Sequence, residues 1–453
     1  MATNLESGTT ARVDQGLPRS LPQSLAEWLA WLERIHPKTI AMGLERVSAV
    51  RDALAPAVPL VLSFPVITVG GTNGKGSTCA MLESILTSAG YRVGCYSSPH
   101  LLHYNERVRI DRHNVSDDAL CRVLAKVEAA RGTIPLTYFE FGTLAAMQLF
   151  IEAGVDVAIL EVGLGGRLDA VNAFDTDCAV ITSIDMDHMD YLGDTRESIA
   201  FEKAGIFRAD APAICADTDP PQSLLDHAIG IGARLIRAGV DYSFNGDGVQ
   251  WQYRSQQKQR FSLPYPALRG ACQLSNAGAS LAALDELRDR LPIDMRNVRE
   301  GLLTVDLAAR FQVLPGRPVV ILDVAHNPQA AQALATNLGN MRGYRKTIAV
   351  FAMLNDKDLG GVIRAVLPCI DQWLIADLRQ PRGAQAERLS DELIEAGVTS
   401  EIFRFTQPSD AYQRALELAG ADDRIIVFGS FYTVADVMRG QGGARDMSAV
   451  VQA

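Results

Sequence analysis

The chain contains no CxxC pair, and its seven cysteines are scattered and odd in number. That disfavours a disulfide scaffold or a zinc site and fits free thiols in a reducing compartment. No apolar run approaches the ~20 residues that span a bilayer. The first twenty residues, MATNLESGTTARVDQGLPRS, lack the apolar core of a signal peptide. They are expected to form a flexible tail (1–20), and the protein is expected to be cytoplasmic. There is no basic excess either: 53 acidic against 43 basic residues give a net charge of -10. This argues against a surface that coats nucleic acid, while a local basic cleft for phosphates remains open. Internal repeats and low-complexity blocks are absent.

What is present is an ordinary globular composition, 48% hydrophobic and 21% charged, over 453 residues. That length exceeds one typical core. Leu21 to Leu54 has a helical pattern broken at Pro37, with Trp28, Leu29, Trp31, Leu32 and Ile35 on one face. Apolar runs at 65–69, 91–96, 155–162 and 178–184 alternate with helical segments at 78–89, 116–130 and 138–153. Such alternation is the mark of a parallel sheet buried on both faces. A change of texture near 240–263 predicts a hairpin around Asn245-Gly246-Asp247-Gly248 that decorates the first domain. After Pro315-Gly316 a second α/β alternation begins, with strands expected at 318–324, 346–352, 372–376 and 424–428. The chain is read as a 21–307 domain followed by a smaller α/β domain, 308–453.

Chemistry collects where strands end, because open α/β sheets bind ligands beyond their carboxyl edges. The first run leads into Val69-Gly70-Gly71-Thr72-Asn73-Gly74-Lys75-Gly76-Ser77-Thr78. Glycines let backbone N–H groups converge on an anion, a following helix N-terminus adds positive potential, and Lys75 is placed to reach outer phosphates. The match to the common phosphate loop is imperfect. Val69 stands where its first glycine belongs, and Gly76 separates the lysine from Ser77. The next strand ends bring Ser98, Glu161 and the cluster Asp185-Met186-Asp187-His188. Phosphates need Mg²⁺, which takes oxygen ligands and few protein contacts, so Ser98, Glu161 and His188 are candidate ligands. Glu202-Lys203 reads on bulk grounds as a solvated ion pair. Asp323 and His326 occupy a strand end of the second sheet, and two sheets with facing ends imply a cleft that excludes water.

Together these strings resemble the folylpolyglutamate synthase/dihydrofolate synthase family, relatives of the Mur ligases. The resemblance runs from MGLERV (42–47) through GTNGKGST (71–78), SSPHL (97–101), NERVRI (105–110), TYFEF (137–141) and LEVGLGGRLDAVN (160–172). It continues through ITSIDMDHMDYLG (181–193), EKAGI (202–206) and LDVAHNP (322–328) to VFGSFYTVADV (427–437). It also accounts for the unusual phosphate loop.

The resemblance implies an ATP-dependent ligase that joins L-glutamate to dihydropteroate and to tetrahydrofolate or its polyglutamates, through an acyl phosphate. It implies ATP on Thr72, Asn73, Gly74, Lys75, Gly76 and Ser77, with Asn276, Arg310, Asp323 and His326 approaching from the far side. Magnesium, expected as two ions, would be held by Ser98, Glu161 and His188. Lys203, if carbamylated by CO₂, would add an anionic oxygen ligand, which reverses the ion-pair reading. Lys75, Lys203 and His188 would form the catalytic set. Pterin contacts would fall on Leu44, Glu45, Arg46, Val47, Thr137, Tyr138, Phe139, Glu140, Leu168, Asp169 and Ala170. The implied partners are small molecules only, and the implied state is a monomer. Two other readings stand beside this one: a Mur-type ligase acting on a UDP-sugar peptide, and a nucleotide-switch ATPase that is not a ligase.

Overall fold

The apolar runs around residues 66, 93, 157 and 178 pair into one sheet because each is buried along its whole length. The computed structural model describes residues 21–36, 41–55 and 62–442. The expected tail (1–20) and Pro37 lie outside them. In spatial order the eight strands are His113–Asn114, Val108–Ile110, Val93–Tyr96, Val157–Glu161, Val66–Gly70, Cys178–Ile181, Pro212–Cys215 and Arg234–Arg237. All neighbours are parallel except at the edge where Val108–Ile110 joins, which is antiparallel on both sides.

Alternate residues of the central strands feed two cores, as the period of two in a strand requires. Val66, Ala158, Leu160 and Ile181 face helices that include Leu25–Ile35, Asp117–Arg131 and Tyr138–Ala153. Ile67, Val69, Ile159 and Val180 face helices Lys75–Ser88, Gln273–Glu286 and Met295–Thr304. Each fully buried aliphatic side chain contributes about 1.5–3 kcal/mol, so these two layers fix the sheet that carries the loop.

Several expectations shift. The helix expected at 78–89 begins at Lys75, because Gly74 in the left-handed region (φ 90) stands at its N-cap. Its first-turn N–H groups therefore open directly onto the glycine loop. The predicted hairpin near 240–263 is a three-stranded sheet, Tyr242–Gly246, Gln250–Ser255 and Gln259–Pro264. The third strand reads as polar, yet its Arg260 is buried and paired to Asp285 on helix Gln273–Glu286. Leu21 to Leu54 forms two helices, Leu25–Ile35 and Glu45–Ala53.

The second sheet has six strands in the order Gln312–Leu314, Val319–Leu322, Arg424–Phe428, Thr347–Phe351, Gln372–Ala376 and Ile402–Phe405. Only its first strand is antiparallel. The chain crosses between the sheets after Thr304, where Ala309 (φ 59) and Phe311 (φ 48) both adopt the left-handed region. All seven cysteines are free thiols. Among the described residues no helix is long and apolar enough to cross a membrane.

Gly94 lies in a central strand, and a Cβ there would stand 2.6 Å from Phe150 Cδ1. Phe150 is fully buried and has nowhere to move. Gly94→Ala is expected to lose about 1–3 kcal/mol to overpacking in denaturant melts. Gly230→Ala, in helix Gln222–Ile231 with open space around it, should gain up to about 1 kcal/mol. Equal stability of Gly94→Ala and the parent would contradict this packing.

Candidate functional site

The glycine loop is pinned from below by the end of the neighbouring strand. Thr182 Oγ1 donates to Asn73 O (2.6 Å), Thr72 N donates to Ser183 O (2.7 Å), and Asn73 N donates to Ser183 Oγ (3.1 Å). Gly71 needs φ 138, and a Cβ there would lie 1.9 Å from Thr182 Oγ1. Only glycine fits. Lys75 Nζ arches back over the loop to Gly71 O (3.0 Å) and Thr72 O (3.1 Å). Asn276 reaches in from helix Gln273–Glu286, its Oδ1 2.5 Å from where a Cβ of Gly74 would be. Gln273 beside it holds the Asn276 amide (3.0 Å).

Across the loop stands Glu161, at the end of its strand and 4% exposed. Its Oε2 accepts Ser98 N at 3.1 Å and lies 3.7 Å from where a Cβ of Gly76 would be. Burial raises its pKa, and nearby Lys75 pulls it back down. Glu161, Ser98 and the loop thus share one small space. His188 is left-handed (φ 52) and lies next to Asp187, whose Oδ1 takes a 2.6 Å ion pair from Lys357 Nζ. Burial tends to raise the Asp187 carboxyl, but His188 and Lys357 hold it low. Burial, with Lys357 and Lys75 close by, overrides Asp187 and brings His188 down to about 4. It is a neutral imidazole, the form that ligates metals.

The ion-pair reading of Glu202-Lys203 fails. Glu202 pairs with Arg167 (2.7 Å), while Lys203, in the last turn of helix Arg196–Ala204, turns inward and is 4% exposed. Among the described residues its amine has neither a hydrogen bond nor a close ion pair. Burial, aided by Lys75, brings its pKa down to about 7 against the pull of Asp187 and Asp169.

The second sheet contributes the opposite wall. Arg310 lies between the two left-handed residues, its guanidinium 5.0 Å from the Phe431 ring centre. Asp323 holds that segment in place: Oδ2 accepts Phe311 N (2.8 Å) and Oδ1 accepts Ala325 N (2.7 Å). His326 Nδ1 sits 2.8 Å from Val324 O; a carbonyl only accepts, so Nδ1 bears the proton and Nε2 is left as the acceptor. Asn73 exchanges amide hydrogen bonds with Asn327 (3.1 and 3.0 Å) and donates to Gln329 Oε1 (2.6 Å). The loop is thereby tied to helix Pro328–Asn340.

Of these groups all but Asn327, Glu202 and Arg167 line one cavity of about 720 Å³ between the two sheets. Thr137, Phe139, Glu140, Leu168, Asp169 and Ala170 are on its wall; Leu44, Glu45, Arg46, Val47 and Tyr138 are not. Helix Glu45–Ala53 turns Val47 into the core, and Arg46 pairs with Glu140 (3.0 Å). Ala41 to Gly43, just before that helix, meet the cavity in their place. Asp169, pushed by burial up to about 7, is occupied by Leu164 N and Val171 N. Sequence reading missed Lys357 and Gln329. Asn355-Asp356-Lys357-Asp358 looks like an exposed polar turn, and nothing local signals that its lysine crosses to Asp187.

Among the described residues no group of three or more His, Cys, Asp or Glu side chains is placed to hold a metal ion. Mg²⁺ binds through one or two carboxylates together with substrate phosphates, and buried Glu161 with Ser98 beside a phosphate loop fits that requirement.

The Mur ligase middle domain matches residues 69–284, and the Mur ligase glutamate ligase domain matches 309–431. The chain is 44% identical to the dihydrofolate synthase/folylpolyglutamate synthase of Escherichia coli K12 over 414 residues, 91% of this chain and 94% of that one. It is 43% identical to the Haemophilus influenzae protein of the same name over 434 residues, 91% and 96% of the two chains. The chain belongs to the folylpolyglutamate synthase/dihydrofolate synthase family. Among solved structures, E. coli FolC in complex with DHPP and ADP superposes with a TM-score of 0.88 at 44% identity, covering 93% of this chain and 99% of that one. The Yersinia pestis synthase with Mn, AMPPNP and L-glutamate bound gives 0.84 at 45% identity, covering 93% and 99%. The expected Mur-ligase-related fold is therefore the fold of this family member.

Gly71→Ala is expected to weaken nucleotide binding at least tenfold, about 1.4 kcal/mol, in calorimetric titration with an ATP analogue. Unchanged affinity would show that the loop does not bind phosphates in this conformation.

Proposed function

We propose that this chain is an ATP-dependent amide ligase that joins L-glutamate to dihydropteroate and to tetrahydrofolate and its glutamylated forms. The observation that carries the reading is a phosphate loop sharing one cleft with buried Glu161, unpaired buried Lys203 and a second sheet bearing Arg310, Asp323 and His326. The relatives' complexes with DHPP and ADP, and with AMPPNP and L-glutamate, support the same ligand classes here. Residues 21–307 act as the ATP- and pterin-binding domain and 308 onward as the glutamate-ligase domain. One chain encloses the whole cleft, which suits a cytoplasmic monomer.

A carboxylate is a poor electrophile. Phosphorylation of the acceptor's carboxyl by ATP gives an acyl phosphate, and the amine of glutamate then attacks the acyl carbon as phosphate leaves. The loop amides and Lys75 neutralise charge on the transferring phosphoryl group. Arg310, braced by Phe431 and by Asp323 through Phe311 N, meets the nucleotide from the other sheet, where His326 lies near the same Phe431 ring. Asn276 reaches it from the loop's own side of the cleft and not from the far side as expected. Phe139, Leu168 and Ala170 offer the apolar surface for the pterin, and closure of the cleft excludes water that would hydrolyse the acyl phosphate. Ser98, Glu161 and His188 would hold magnesium, which supplies Lewis-acid stabilisation of phosphoryl oxygens. Lys203 is buried without a close partner, so its amine is available to capture CO₂. As a carbamate it would join that ligand set.

The direct test is L-glutamate-dependent ADP release with dihydropteroate and tetrahydrofolate in parallel, with product masses. Turnover with each acceptor is expected; silence with both, alongside intact ATP binding, would overturn the reading. Lys75→Ala should lower kcat by about a hundredfold or more. Lys203→Ala should be inactive and partly rescued by short carboxylic acids; full activity without them would remove the carbamate.

A further inference from the structure

Every glutamate added through its γ-carboxyl leaves one more α-carboxylate between the pterin and the reacting end. A ligase that extends its own product has to accommodate this lengthening anionic chain. One stretch of the cavity wall carries guanidinium groups that form no ion pair with a carboxylate among the described residues. Arg107 is half-buried there, its Nε 2.8 Å from His100 Nδ1 and its guanidinium 5.4 Å from the ring centres of both Tyr104 and Tyr138. The two rings stand edge to face, 5.6 Å apart, so together they hold the guanidinium from one side and leave its other side open to an anion. From the second sheet's side, Tyr432 and Arg439 of helix Phe431–Gly442 line the same cavity. Arg439 is within electrostatic reach of His100, and Tyr432 of Tyr138. Neither Arg107 nor Arg439 has an acidic ion-pair partner among the described residues.

Tyr432 and Arg439 also border a second hollow, of about 70 Å³, together with Arg379, Gln380 and Gln407. Two acids border it as well, Asp377 accepting Ala386 N (2.7 Å) and Asp436 accepting Ser409 N (2.9 Å), and among the described residues neither forms an ion pair with Arg379 or Arg439. Arg107, Arg439 and Arg379 thus make a run of guanidinium groups, without acidic ion-pair partners among the described residues, from inside the cleft to the surface. We infer that this run binds the α-carboxylates of the acceptor's γ-glutamyl tail. The inference rests on the ligase reading above and adds a subsite to it. Guanidinium groups match carboxylates in two-point geometry, and the nucleotide's phosphates are already provided for at the glycine loop. Arg439 and Arg379 are solvent-exposed, so each contact is weak on its own and the effect grows with tail length.

The test compares dihydropteroate, which has no tail, with tetrahydrofolate carrying one or three glutamates. Kd and turnover are measured for the parent and for an Arg379→Gln/Arg439→Gln double variant. The double variant is expected to bind the triglutamate about tenfold more weakly, the sum of two exposed charge contacts. The monoglutamate should lose less, and kcat/KM for dihydropteroate should stay within about twofold. Uniform weakening of all three acceptors, or an unchanged triglutamate Kd, would overturn the subsite while leaving the ligase reading intact. Failure of the parent to turn over any acceptor would overturn both.

Discussion

The cleft depends on one amide. Asn73 belongs to the glycine loop, yet its side chain exchanges hydrogen bonds with Asn327 and reaches Gln329 on the second sheet's side. Its own backbone is held by Thr182 and Ser183. The segment proposed to receive phosphate is therefore also the joint between the two halves of the molecule. Asn327 doubles as the N-cap of helix Pro328–Asn340, accepting Ala330 N at 2.9 Å, so a shift of the loop is felt at a helix terminus. Networks of this kind hold one arrangement firmly because each partner lost leaves a buried polar group unsatisfied. Lys357 bonded to Asp187 makes a second crossing of the cleft.

Around that joint the protein keeps charges that a purely structural core would not. Glu161 and Lys203 are each 4% exposed, and burial disfavours the charged form of both. Among the described residues neither is neutralised by a close ion pair of its own. Lys75 lies near enough to affect both groups, stabilising the anion and disfavouring the cation. Ala309 and Phe311 add left-handed backbone at the crossing between sheets, of order 1–3 kcal/mol each. These unfavourable terms are concentrated where phosphate, metal and carboxylate would offset them, and the two hydrophobic layers on the first sheet are large enough to carry them.

The parts of this arrangement that depend on local pattern were legible in the sequence. The strand entering the glycine loop, Glu161 at the end of VAILE, and Asp323 after VVIL follow from apolar period and turn chemistry, and the rule of strand ends gathers them into one cleft. Lys203 was not legible that way. Beside Glu202 it has the look of a surface pair, and only the family resemblance marked it, because burial is decided by helix packing far from residues 202–203. Lys357 left no local trace at all. The string at 44–47 was marked only by the resemblance; in the structure helix periodicity aims Val47 at the core, and the chain just before it meets the cavity. In the three-stranded sheet, the third strand Gln259–Pro264 was not part of the expected hairpin, and its Arg260 is buried against a partner on a distant helix that no local pattern shows.

The claim at the centre of this account is that the cleft activates a carboxylate by phosphorylating it. Dihydropteroate labelled with ¹⁸O in its carboxyl group, incubated with ATP, Mg²⁺ and L-glutamate, tests it by mass analysis of the released phosphate. An acyl phosphate requires one carboxyl oxygen to leave with each phosphate, so labelled phosphate should form in step with product. Unlabelled phosphate alongside full amide formation would contradict the account.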